Sequence, residues 1–265
     1  MRCSVFLDSL LHGDFRFLVH INKELLFEFS HKSIAEYLYA QRIIGGLQRL
    51  AIQNSVASSS TSEASAENEI CDLLGHGKLT TETINYLKAS IIEVDAAELQ
   101  SIFECLNEFY SKWCEGYYLS SIPEKEFPWK ELHERQRLCG ACPNIKQSDI
   151  YTGLNVIILL LELHRYSQNT LGLGSQLSFD PSLSVDSDSA RGRDNFLRAI
   201  GYCHCMEPDA ISSPSTKHFA NNVGQFLEKI NLLGAVLQGS DLSGTNLAGA
   251  NLRSANLSRA SLAGA

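Results

Sequence analysis

From Ile230 to Gly264 the chain repeats every five residues without a slip. Leu232, Leu237, Leu242, Leu247, Leu252, Leu257 and Leu262 mark the period, and two positions before them stand Ile230, Ala235, Ser240, Thr245, Ala250, Ala255 and Ala260, small in every unit but the first. Asn or Asp precedes the leucine in five of the seven units, and glycine closes five. A period of five fits neither the 3.6 of an α-helix nor the 2.0 of a strand, so the chain must turn in space once per unit. On a helix these leucines would wind around the axis instead of forming a stripe, and each recurring glycine would cost about 1 kcal/mol. Each unit therefore buries its apolar residue by stacking on its neighbours, as a solenoid, with Gln238, Ser243, Arg253 and Ser258 pointing outward.

The units Ser240-Asp241-Leu242-Ser243-Gly244 and Ala250-Asn251-Leu252-Arg253-Ser254 resemble the A(D/N)LxG motif of the pentapeptide-repeat family. The resemblance implies a right-handed, four-sided β-helix with about four pentads per coil, so that seven units make fewer than two coils. The array reaches Ala265 in register and without a cap. An open solenoid end leaves backbone groups and a leucine layer facing water, so the chain is expected to be incomplete at its C-terminus.

The 44% hydrophobic and 20% charged residues are ordinary for a globular protein, and a net charge of −8 argues against broad attraction to nucleic acid or an anionic membrane. Asp8 interrupts what would be a signal sequence, and the apolar run Val156 to Leu161 is too short to span a bilayer, which predicts a cytoplasmic protein. In that compartment the eight cysteines are expected to be reduced thiols.

Residues 54–68 (Ser/Ala/Glu-rich) and 167–192 (Ser/Gly/Asp-rich) bury too little apolar area to offset chain entropy and read as linkers. They divide the chain into a unit at 1–53, a helical domain at 69–166, short helices at 193–229 that cap the array, and the truncated repeats at 230–265. In the helical domain Thr80 or Thr81 caps a helix with Ile84, Leu87 and Ile91 on one face, and Asp95 with Glu98 opens a second. That second helix carries Leu99, Ile102, Phe103, Leu106, Phe109, Tyr110 and Trp113 as a wide stripe. A third, from about Asp149 to Tyr166, is apolar nearly all round and is expected to be the buried member of a small bundle.

At the N-terminus, Phe15 to His20 and Leu25 to Phe29 read as strands of a hairpin, followed by a helix opened by Ser30 to Ser33. The string from Phe27 to Ala40, FEFSHKSIAEYLYA, resembles the FxFxHKSFxEYxxA signature that closes the nucleotide-binding unit of NACHT-type (STAND class) signalling ATPases. The resemblance covers about thirty residues and implies the wing hairpin and last helix of a winged-helix domain. It implies that His31 touches an ADP phosphate, with Glu36 and Tyr37 at structural positions; Ile34 stands where phenylalanine is usual. No G-x-x-x-x-G-K-[ST] and no strand ending in paired acids occurs, so ATP or ADP with Mg²⁺ is expected only with a missing upstream domain. Met1 then marks a fragment, a split gene or an internal start.

Cys139 and Cys142 have C-x-x-C spacing, and Cys203-His204-Cys205 forms a second cluster. These are donors for tetrahedral zinc, yet about sixty residues and a linker separate them and no βαβ pattern supports a redox pair, so ordinary thiols are expected. His133, His164, His204 and His218 show no dyad spacing, which leaves no candidate catalytic or metal residue.

The sequence thus predicts a mainly α protein, a helical bundle segment with an N-terminal β-hairpin/winged-helix remnant and a C-terminal right-handed quadrilateral β-helix. Its expected function is a non-catalytic signalling scaffold resembling the tail of a NACHT ATPase. The solenoid is expected to bind a protein partner, with no nucleic acid or membrane partner and oligomers only in the full-length parent. The alternative, a self-standing DNA mimic that protects a topoisomerase, requires an acidic rod. Residues 230–265 carry Asp241 against Arg253 and Arg259. A zinc-dependent hydrolase has no support beyond the cysteines.

Overall fold

A computed structural model describes residues 19–21, 24–26, 32–56, 61–116, 145–170, 176–182, 193–203, 218–240 and 242–265. Two three-residue strands, β1 (Val19–Ile21) and β2 (Glu24–Leu26), pair antiparallel with Val19 opposite Leu26. The helices are α1 (Lys32–Val56), α2 (Thr61–Leu74), α3 (Thr81–Ile91), α4 (Ala96–Cys114), α5 (Ile145–Asn169), α6 (Asn195–Cys203) and the short α7 (His218–Asn222), followed by a 3₁₀ turn at Gly224–Phe226. α1 lies against α2, α3 and α4, and α5 against α2, α4 and α6.

Local chemistry sets the helix starts. The Thr80 hydroxyl accepts the N–H of Thr83 at the head of α3, and the Asp95 carboxylate accepts that of Glu98 at the head of α4, each relieving a donor the first turn cannot satisfy. Gly116 ends α4 with φ 82°, its N–H returning to Trp113 O at 2.9 Å. Every residue of the expected stripe from Leu99 to Trp113 is buried, and so are Leu154, Ile157, Ile158, Leu161 and Leu163 of α5.

Close approach of backbone to side chain fixes two helix crossings. A Cβ added to Gly46 of α1 would fall on the Leu73 side chain of α2, and one added to Gly153 of α5 would fall on the Trp113 indole of α4. Trp113 is fully buried, with Tyr202 edge-on at 5.0 Å and Tyr110 tilted at 6.4 Å. α5 also carries a polar stripe, Ser148, Thr152 and Asn155, facing the end of α2. The Ser148 hydroxyl donates to Gly75 O at 3.0 Å, while Asn155 Nδ2 donates to Leu74 O at 2.8 Å and Gly77 O at 2.7 Å, capping carbonyls that α2 leaves open.

The fold class expected from the sequence is corrected by these elements. The described residues are mainly helical, with β1 and β2 as three-residue strands, and no winged-helix sheet is built on them among the described residues; the rest of the strand runs read at 15–20 and 25–29 lies outside the described residues. Nor is the C-terminal region a β-helix of strands. Residues 230–265 hold turns and only the isolated parallel bridges Asn231 to Asn251 and Val236 to Asn256 among the described residues. The reason is geometric: with a turn every five residues, too few residues remain between corners for a ladder to develop. Among the described residues no helix is long and apolar enough to cross a membrane.

Candidate interaction surface

Each pentad folds into one tight turn. The N–H three residues after each leucine returns to the leucine carbonyl, as in Ala235 to Leu232 O and Ala250 to Leu247 O, at 2.9 to 3.2 Å. The residue two after the leucine is left-handed, with φ from 65° to 73° at Gly234, Gly239, Gly244, Gly249 and Gly264. That is the position where a turn with one positive φ requires glycine. Ser254 and Arg259 take the same conformation, φ 59° and 61°, without being glycine.

The Asn before the leucine has a structural task. Oδ1 of Asn246 and Asn256 accepts the N–H two residues on, of Ala248 and Ser258, both at 3.1 Å, and Asn231 and Asn251 do the same at 3.3 Å. Through Oδ1 these side chains hold the turn.

Successive coils join through backbone bonds about twenty residues apart: Leu232 N to Asn251 O, Leu237 N to Asn256 O and Leu242 N to Ser261 O, each 2.9 Å. Four pentads thus complete one circuit. The structure begins the series one unit earlier than the sequence reading, because Leu227 accepts the N–H of Ile230 and Lys229 is left-handed with φ 57°. Lysine in the glycine position hid that unit.

Burial differs along the array. Leu227, Leu232, Leu237 and Leu242 are fully buried, Leu247, Leu252 and Leu257 are partly exposed, and Leu262 is 40% exposed. The inward hydroxyls of Ser240 and Thr245 are satisfied by Leu237 O and Leu242 O at 2.9 and 2.8 Å. Leu237→Ala is expected to cost about 3 kcal/mol and Leu257→Ala about 1 kcal/mol, since only the first leaves an enclosed cavity. Urea unfolding of the two variants checks the ratio, and equal losses contradict this account of the coil.

The first circuit is fixed to the helices by polar contacts. Arg165 of α5 donates to Phe226 O and to Glu228 O (2.9 Å) and pairs with the buried Glu162 at 2.6 Å, which Lys88 of α3 meets at 2.9 Å. Asn251 Nδ2 donates to Asn231 Oδ1 at 2.9 Å, and Asn231 Nδ2 donates to Asp180 Oδ2 at 3.1 Å. Burial pushes the Asp180 carboxyl up, opposed by its hydrogen bonds from Ser182 and by Arg193. Arg193 also donates to Leu233 O at 2.7 Å. Tyr110 OH donates to Pro181 O at 2.6 Å, so residues 176–182 lie between α4 and the coil, with Leu177 and Phe179 in the core. One continuous core runs from Ala40 to Leu242. The outward positions Leu233 (42% exposed), Gln238, Ala248, Arg253 and Ser258 face solvent on a firmly mounted base.

The other residues singled out by sequence behave differently. His31, Cys139, Cys142 and Cys205 lie outside the described residues. Glu36 is buried at the head of α1, where it accepts the Thr80 hydroxyl at 2.9 Å and pairs with Lys32 at 3.3 Å; Tyr37 stands edge-on to Tyr86. Cys203 is buried, its thiol directed to Ala199 O. His164 Nδ1 lies 2.9 Å from Leu177 O and 3.3 Å from Phe179 N, a packing role against residues 176–182. No group of three or more metal-binding side chains occurs among the described residues.

A chain that turns once per pentad, stacks every fourth unit and fills its interior with leucine defines a repeat protein over its last two circuits. The family model for pentapeptide repeats matches residues 230–265 with eight copies. No curated protein and no solved structure matches the chain.

Proposed function

We propose that the protein is a non-catalytic scaffold whose pentapeptide repeats present a surface to a protein partner. The observation that carries this reading is the division of labour within each pentad. Leucine and the small residue fill the coil, the asparagines hold turns and the left-handed position is conformationally restricted, so the outward residue is the least constrained, and it varies most: Leu233, Gln238, Ser243, Ala248, Arg253, Ser258. A rigid base with variable outward side chains loses little entropy on binding, which favours recognition. The resemblance of residues 27–40 to the end of a NACHT ATPase unit supports placing this scaffold downstream of a nucleotide-binding domain, with His31 toward its ADP. The protein partner is favoured over a topoisomerase because the coil carries no dense row of carboxylates to imitate phosphates.

The test is affinity capture with the full chain and with a variant carrying Gln238→Glu, Arg253→Glu and Ser258→Glu, all outward and outside the core. A protein captured by the first and lost by the second, with unchanged circular dichroism, supports the reading. A protein retained equally by both, or none captured, removes the repeats as the binding surface.

A further inference from the structure

Residues 176–182 (QLSFDPS) belong to no helix or strand, yet they are seated in the core. Exposure alternates along them: Gln176 and Ser178 face solvent, while Leu177 and Phe179 are buried, as in an extended chain laid on an apolar surface. Side chains of three elements grip this segment. The fully buried Tyr110 of α4 donates its hydroxyl to Pro181 O at 2.6 Å and stands edge-on to the Phe179 ring at 5.3 Å. On α5, His164 Nδ1 sits between Leu177 O (2.9 Å) and Phe179 N (3.3 Å), donating to the one or accepting from the other according to its tautomer. From the coil, Asn231 Nδ2 donates to Asp180 Oδ2 at 3.1 Å. The coil itself aims that amide, because Asn231 Oδ1 is taken by Asn251 Nδ2 (2.9 Å) and by the Leu233 N–H (3.3 Å), which turns the NH₂ to the segment and calls for an acceptor there.

Bonds from fixed groups to a peptide's main chain, with burial of alternate side chains, are the means by which a groove recognises an extended peptide. We propose that the groove between α4, α5 and the first circuit is a peptide-binding site, shielded by the chain's own residues 176–182. Its ligand is a segment of a partner protein with the same order of side chains: an aliphatic residue, an aromatic two further on, then aspartate and proline. The outward residues of the repeats take no part in it, so its failure and the failure of the repeat surface are separable.

Exchange requires only that the segment leave. Leu177, Phe179 and Pro181 then come out of the core, a local opening that costs less than unfolding the bundle. The groove outlasts it: Tyr110 and His164 are carried by helices, and Arg165 still holds the coil through Phe226 O and Glu228 O.

The probe is a synthetic peptide of residues 176–182 with blocked ends and a fluorophore, titrated by polarisation into the full chain carrying Leu177→Ser and Phe179→Ser, which empties the groove. Binding is expected there and about 100-fold more weakly in the wild-type chain, whose own segment competes at an effective concentration on the order of mM. The peptide with Phe179→Ala is expected to bind the emptied chain about 30-fold more weakly, and adding Tyr110→Phe to that chain should cost about fivefold. A second measurement needs no substitution in the protein. The peptide with a benzophenone in place of its phenyl ring is irradiated with the wild-type chain at millimolar concentration, and cross-links on α4 and α5 beside Tyr110 and His164 support the site. No binding to an emptied chain of unchanged circular dichroism, equal binding by both chains, or no cross-links on these two helices overturns it. A dimer of the wild-type chain that disappears in the emptied chain overturns the partner reading, because the segment is then exchanged between copies.

Discussion

Gly153→Ala lowers stability by about 3 kcal/mol, although alanine is the better helix former by about 1 kcal/mol. The new methyl would occupy the space of the Trp113 ring. That ring has no retreat: it is fully buried and held by Tyr110 and Tyr202. Either α5 moves away from α4 or the indole leaves its rotamer, and both sacrifice packing across the junction. Denaturant midpoints measure the loss, and Gly201→Ala in α6, where a Cβ would meet nothing within 4 Å, is the control, expected to be neutral or slightly stabilising. Combining Gly153→Ala with Trp113→Phe should cost less than the sum of the two, because the smaller ring makes room for the methyl. Strict additivity would show that the two residues do not share the space.

The repeats were the most legible part of the chain, because a period of five admits so few backbones. The spacing gave the inward and outward positions, and the asparagines now have a reason in the turn bonds to Ala248 and Ser258. The strands attached to that reading did not appear, since corners every five residues leave room only for isolated bridges. Caps were legible too: Thr80 and Asp95 act as their local sequence predicts.

What escaped the sequence was long-range. Leu177 and Phe179 lie in a Ser-rich stretch whose composition conceals a short core segment, and α2 begins at Thr61 within the Ser/Ala/Glu-rich run. Ser148, Thr152 and Asn155 did carry a signal, a polar stripe at helical spacing in an otherwise apolar helix. Its meaning depends on the open carbonyls of α2, which are seventy to eighty residues away. His31, the residue on which the nucleotide reading rests, lies outside the described residues, so its role is tested only by chemistry.

Stability should fall as the pH rises from about 4 to about 7, and Asp149 should account for much of the fall. Burial raises its carboxyl from 3.8 to about 7, so the folded chain holds this proton where the unfolded chain has released it. A group of this kind contributes its stability in full below the unfolded value, loses it as the pH climbs through the folded value, and changes nothing further above that. At about 1.4 kcal/mol per unit the upper limit is about 4 kcal/mol. Asp149→Asn removes the titration at the cost of an amide in an apolar corner, about 1 kcal/mol at any pH. The variant is therefore expected to be slightly weaker than wild type at pH 4 and stronger at pH 8 by about 2 kcal/mol, so the two stability curves cross. Urea midpoints at the two pH values decide it, because a buried carboxylate whose charge is compensated would give parallel curves. A crossing near neutral pH would mean that the bundle carrying the repeats is least stable where Asp149 is charged, which is the physical requirement for a proton to act on it.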